Sequence, residues 1–75
     1  MKPEKQLENF GLRLKELRLK KNLTQEILAA SANLDRTYIS GCERGIRNIS
    51  LLNILKLAEA LDVEPASLLQ KRVDK

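Results

Sequence analysis

The apolar residues of this chain recur at the spacing of helices, and no stretch alternates as a strand would. A first helix is predicted from about Gln6 to Lys20. Its uncharged apolar face is formed by Leu7, Phe10, Leu14 and Leu17. Leu12 and Leu19 lie on the other side of this helix and need a second partner, for which the C-terminal helix is a candidate.

Capping residues predict where the next two helices begin and end. Thr24 is expected to cap a second helix from about Gln25 to Ser31, because its side-chain oxygen can accept from free backbone N–H groups. Asp35 has the same expected role for a third helix. That helix is predicted to end near Arg44, and Gly45 supplies the stop.

Two further helices complete the predicted fold. A fourth helix follows Ser50 and runs to Leu61, and a fifth opens with Pro65 and ends near Lys71. The pattern therefore predicts a compact all-α fold of five short helices. We expect residues 1–75 to form one domain, with its core from about 6 to 71 and dimerisation through the fourth and fifth helices.

The fourth helix has a broad apolar face, predicted to be formed by Leu51, Ile54, Leu55, Leu57, Ala58 and Leu61. Leu52 lies instead on the charged side, and Ile49 precedes it in an exposed-looking loop. Leu68 and Leu69 are adjacent, so both cannot point inward. We expect Ile49, Leu52 and part of Leu69 to form a two-fold interface, since small domains seldom leave large apolar groups uncovered. Scattered surface leucines are the alternative.

The third helix has two unlike faces when its residues are placed at about 100° intervals. One arc is largely apolar and contains Tyr38, Ile39 and Cys42. The opposite arc is polar and contains Arg36, Thr37, Ser40, Gly41 and Arg44. Arginine and hydroxyl groups suit a major groove, and the first residues of such a helix, here Arg36, Thr37 and Tyr38, usually meet the bases. A solvated polar face fits the same periodicity.

Composition narrows the function. The 75 residues carry a net charge of +4, which favours a polyanionic partner such as DNA or RNA. The chain has one cysteine and no histidine, so we expect no zinc site, no cofactor and no enzymatic activity. Cys42, on the inward arc, is expected to be a buried core thiol rather than a redox sensor. No signal peptide or membrane span is visible, which predicts a cytoplasmic protein.

Several motifs occur in order along residues 10–70: Leu-Thr-Gln-Glu at 23–26, Tyr-Ile-Ser at 38–40, Glu-Arg-Gly at 43–45 and Leu-Ala-Glu-Ala-Leu at 57–61. Together they resemble the phage-repressor (Cro/C1-type) helix-turn-helix family, which implies a lambda-repressor-like fold. Within that family, the run Asn-Leu-Asp-Arg-Thr-Tyr-Ile-Ser-Gly at 33–41 resembles the controller proteins of restriction–modification systems.

The resemblance implies roles for the matching positions. The residues facing the major groove would be Arg36, Thr37, Ser40 and Gly41. The side chains on the DNA backbone would be those of Gln25, Arg44, Arg47 and Asn48, and Gln25 would also brace the recognition helix. Arg18 and Glu43 match a pair that forms an internal ion pair between the first and third helices.

These expectations combine into a transcription regulator that binds double-stranded DNA as a homodimer. Two-fold symmetry would place the recognition helices about 34 Å apart, so the operator would be an inverted repeat. RNA polymerase is a further partner to consider. An antitoxin that binds both DNA and a protein remains an alternative. RNA binding is less favoured because aromatic stacking platforms are missing, and no membrane partner is expected.

Overall fold

The computed structural model describes residues 2–70 and contains five α-helices in that range, as predicted. Their bounds are α1 Pro3–Lys20, α2 Gln25–Ala32, α3 Arg36–Glu43, α4 Leu51–Leu61 and α5 Pro65–Leu69. The prediction for α1 was wrong at its start, because Pro3 stands at the first helical turn, where the missing N–H has no cost. The predicted end of α5 at Lys71 lies outside the described residues.

Local capping explains where α2 and α4 begin. Thr24 accepts a hydrogen bond from the backbone N–H of Ile27 at 3.1 Å, and Ser50 accepts one from Asn53 at 3.2 Å. Asp35 occupies the N-cap position of α3, but its side chain makes no cap hydrogen bond. Asp35 therefore stands at the expected N-cap position but does not make the expected hydrogen bond.

The core draws side chains from every helix. The largest fully buried residues are Leu14, Leu28, Ile39, Leu57, Leu61, Leu68 and Cys42. In this arrangement α1 packs on α3 and α5, α2 packs on α3 and α4, and α4 packs on α5. The third helix is therefore backed on two sides, which holds it in a defined position.

The inward face of α4 is narrower than the sequence predicts. Leu51 is 68% exposed and Leu55 is 42% exposed, so the predicted broad apolar face is only partly buried. Leu57 and Leu61, in the later turns of α4, are buried, and Ile54 is half-buried against the core. Ile49, expected in an exposed loop, is half-buried and packs against the core.

The fifth helix does not cover the outer face of α1. Leu12 is 43% exposed and Leu19 is 54% exposed, so α5 is not the partner that covers them. The fifth helix is held on another side of α1, where Nε of Arg13 donates to the Ser67 carbonyl at 2.6 Å and Nη2 of Arg13 donates to Oε1 of Gln70 at 3.0 Å. Between residues 2 and 70, no helix is both long and apolar enough to cross a membrane.

Candidate nucleic-acid interface

The second and third helices are joined by a tight turn that holds them against each other. Asn33 adopts the left-handed conformation at φ 56° and ψ 45°, which ends α2. The backbone N–H of Leu34 then donates to the Ala29 carbonyl at 2.8 Å. The chain reverses direction and α3 begins two residues later, so residues 25–43 form a helix-turn-helix.

The third helix presents a polar arc to solvent and an apolar arc to the core. Ile39 and Cys42 are buried, whereas Arg36 and Thr37 at the start of the helix are exposed. Tyr38 and Ser40 are half-buried. The first turn of α3 is thus its most accessible part, which is the part that meets base edges in helix-turn-helix proteins.

Arg36 forms an ion pair on this surface. Its Nε lies 3.1 Å from Oε2 of Glu26, a residue in the first turn of α2. Both side chains are more than half exposed, so the pair contributes little to stability. Glu26 was not among the residues selected from the sequence. No helical spacing relates it to Arg36, because a turn separates the two helices.

Gly41, which the resemblance places toward the major groove, is buried in this structure. A Cβ built on Gly41 would lie 2.7 Å from Cγ of Arg47, so the aliphatic stem of Arg47 occupies that space. The guanidinium carbon of Arg47 also lies 5.5 Å from the centroid of the Tyr38 ring, within cation–π range. Arg47 therefore folds back over α3.

Tyr38 connects the helix-turn-helix to α4. Nδ2 of Asn53 donates to the hydroxyl oxygen of Tyr38 at 3.1 Å. Since Ser50 caps the N–H of Asn53, the start of α4 is held to α3 at a defined point. Asn53 is a second residue that the sequence analysis did not select.

A buried ion pair supports α3 from behind. Nε of Arg18 donates to Oε2 of Glu43 at 2.6 Å, and Nη2 of Arg18 donates to Oε1 at 3.0 Å. The charged hydrogen bond to Glu43 is the main cause that raises the pKa of Arg18. Nη1 of Arg18 donates to the Leu23 carbonyl at 2.8 Å, which adds the loop before α2 to the network.

Gln25 joins the same network. Its Nε2 donates to Oε1 of Glu43 at 3.0 Å, and the side chain is half-buried. This hydrogen bond links the first residue of α2 to the last residue of α3. The remaining predicted backbone-contacting residues, Arg44, Arg47 and Asn48, are exposed at and after the end of α3.

The single thiol belongs to the core. Cys42 is 1% exposed, and its desolvation raises the pKa of the thiol, only partly opposed by Tyr38 and Arg47. The expectation of a buried core cysteine is confirmed. Among residues 2–70, no three histidine, cysteine, aspartate or glutamate side chains could together hold a metal ion.

The predicted dimer residues do not share one environment. Leu52 is 69% exposed and Leu69 is 63% exposed, whereas Ile49 is half-buried. Leu51 and Leu55 are also exposed and lie within one turn of Leu52. We call Leu51, Leu52 and Leu55 the α4 leucine patch. It is larger than the sequence analysis indicated.

The chain belongs to the helix-turn-helix family of DNA-binding regulators, because the model of that family matches residues 14–68. The control protein C.BamHI of Bacillus amyloliquefaciens is 52% identical over 61 residues, which cover 80% of this chain and 75% of that protein. The resemblance to the phage-repressor type and to restriction–modification controller proteins is thus confirmed.

Solved structures of controller proteins share the fold of this chain. The controller protein C.AhdI from Aeromonas hydrophila has a TM-score of 0.82 and 61% identity, and the match covers 83% of this chain and 94% of that one. The controller protein C.Esp1396I, solved as a tetramer with its natural 35-base-pair operator, has a TM-score of 0.77 and 40% identity, covering 83% of this chain and 82% of that one.

Proposed function

We propose that this protein is a restriction–modification controller, a transcription regulator that binds an inverted-repeat operator as a homodimer. The observation that carries the proposal is the exposed first turn of α3, where Arg36 and Thr37 project from a helix whose other side is fixed in the core. The similarity to control proteins supports it. The chain acts by binding DNA and catalyses no reaction.

Base recognition falls to the polar arc of α3. Arg36 can donate two hydrogen bonds to a guanine, and Thr37 can reach either base edges or phosphates. Tyr38 and Ser40 are half-buried, so they contribute where the groove approaches the helix closely. Gly41 becomes accessible to a base only if Arg47 moves away from it.

Phosphate contacts would fix the position of this helix on the duplex. Arg44 and Arg47 carry positive charge at the end of α3, and the Asn48 amide can donate to a phosphate oxygen. Gln25 has a second N–H on the nitrogen that binds Glu43, and that hydrogen suits a phosphate beside the start of α2. These contacts supply affinity that falls with salt.

The α4 leucine patch and Leu69 would form the two-fold interface, together with the half-buried Ile49. A symmetric dimer through this surface requires an operator with two related half-sites about one turn of DNA apart. C.Esp1396I is a tetramer on its operator, which supports assembly on DNA for this chain as well. RNA polymerase, at a promoter beside the operator, would be a further partner.

Selection from random-sequence duplex DNA tests the proposal. Purified protein is incubated with the library at low and moderate salt, and the retained duplexes are sequenced. We expect an enriched inverted repeat with half-sites about 10 base pairs apart, centre to centre. The Arg36→Ala variant should enrich a less defined sequence. If no sequence is enriched by the unmodified protein, the proposed function is wrong.

Replacing Leu52 by glutamate should give monomers that bind the selected operator about 100-fold more weakly, because one half-site is then held without its partner. Sedimentation and operator titration measure the two effects. Leu19→Glu is the matched control, since Leu19 is 54% exposed on α1, outside the proposed interface. A dimeric Leu52→Glu protein with full affinity would exclude this interface.

A further inference from the structure

The ion pair between Glu26 and Arg36 contributes little to the stability of the fold. The side chains of Arg36 and Glu26 are 57% and 65% exposed, respectively, and join the first turns of two helices that the turn and Gln25 already hold together. An exposed pair of this kind adds little to folding. The role left to this pair is to position Arg36 for a ligand.

The contact uses one particular edge of the guanidinium. Oε2 of Glu26 lies 3.1 Å from Nε of Arg36, so the carboxylate attracts the side of the guanidinium that carries Nε. The two terminal nitrogens, which form the fork that pairs with guanine, point away from Nε. Because the Nε side of the guanidinium is already restrained by Glu26, both terminal nitrogens can pair with a base with a smaller loss of side-chain conformational entropy.

Resting on the proposed function, we infer that Glu26 is a positioning residue for sequence recognition, which holds Arg36 for end-on pairing with a guanine. Glu26 also places a negative charge beside the base-reading arginine. That charge opposes the use of Arg36 as a general phosphate ligand, because phosphates repel the carboxylate. Both effects favour the operator over other DNA.

A double-mutant cycle tests this inference. The proteins are the unmodified chain, Glu26→Gln, Arg36→Ala and the double variant. The probes are the duplex selected by the unmodified protein, its single-base-pair substitutions and an unrelated duplex of equal length. The base pair read by Arg36 is the one whose substitution penalty disappears in Arg36→Ala. We expect Glu26→Gln to lower that penalty about threefold or more, and to have no further effect once Arg36 is absent.

Binding to the unrelated duplex should rise in Glu26→Gln, by about two- to fivefold at low salt, because one opposing charge is gone. Glu64→Gln is the matched control: it removes the same charge from the N-cap of α5, where the side chain makes no cap hydrogen bond. This variant should leave the penalty at every base pair unchanged. Thermal unfolding of both variants should match that of the unmodified protein.

Three results would overturn the inference while the proposed function stands. Glu26→Gln could keep the full penalty at the base pair read by Arg36. It could change binding to all duplexes by one common factor, which would make Glu26 a simple repelling charge. Glu26→Gln could also lower the penalty at other base pairs in the Arg36→Ala background, which would mean that Glu26 contacts DNA directly. Failure of the unmodified protein to select any duplex would instead contradict the proposed function.

Discussion

Replacing Glu43 by alanine is expected to lower the free energy of unfolding by about 3–5 kcal/mol, because the change leaves the buried guanidinium of Arg18 without its counter-charge. The two side chains are 9% and 4% exposed, for Arg18 and Glu43 respectively, and share two hydrogen bonds. Such a loss is a large part of the total stability of a small protein. Urea unfolding at one fixed protein concentration measures it.

Two comparisons isolate the cause. Glu8→Ala removes the acidic partner of an exposed pair, 3.7 Å from Lys5, and should cost less than about 1 kcal/mol. Replacing both buried partners, Arg18→Met with Glu43→Leu, should restore most of the lost stability, because no buried charge is then left unpaired. A double variant as unstable as Glu43→Ala would contradict this account.

Gly11→Ala should destabilise the protein by about 3 kcal/mol, despite the better helix propensity of alanine. A Cβ at Gly11 would lie 2.4 Å from the Cys42 carbonyl oxygen and 2.5 Å from that of Glu43. These are backbone atoms at the end of α3, so only a separation of α1 from α3 relieves the clash. We expect the displaced recognition helix to weaken operator binding along with stability.

Gly41→Ala provides the matched control, because it makes the same change in a buried helical glycine. There the added Cβ meets Cγ of Arg47 at 2.7 Å, and a flexible side chain on an exposed loop can move aside. Its unfolding free energy should stay within about 1 kcal/mol of the unmodified protein. Equal losses for Gly11→Ala and Gly41→Ala would show that backbone contact is not the cause.

Features set by neighbouring residues were predictable from the sequence. The caps of α2 and α4 each depend on one hydroxyl and an N–H three residues later, so Thr24 and Ser50 could be assigned directly. The five helices were also predictable, because apolar periodicity depends on residues that are close together in the sequence. The α1 start was missed because its first turn is polar and gives no periodic signal, although Pro3 favours that position.

Features that depend on distant contacts were less predictable. Periodicity placed Leu51 and Leu55 on the same face as the buried residues of α4, but it does not show how much of that face other helices cover. The Arg18–Glu43 pair spans 25 residues and was expected only through family resemblance. Arg47 over Gly41 and Glu26 beside Arg36 both cross a loop, where side-chain positions follow from tertiary packing rather than from spacing.

The burial of Cys42 makes this residue an intrinsic reporter of the opening of α3 from the core. Alkylating reagents need a thiolate, and the thiol is both 1% exposed and raised in pKa by desolvation. Modification therefore requires the helix to leave its position first, and the labelling rate follows the free energy of that opening. Since Cys42 is the only cysteine in the sequence, the rate refers to one helix without an engineered probe. Operator DNA that holds α3 in place should slow the reaction, so DNA occupancy becomes readable as thiol protection.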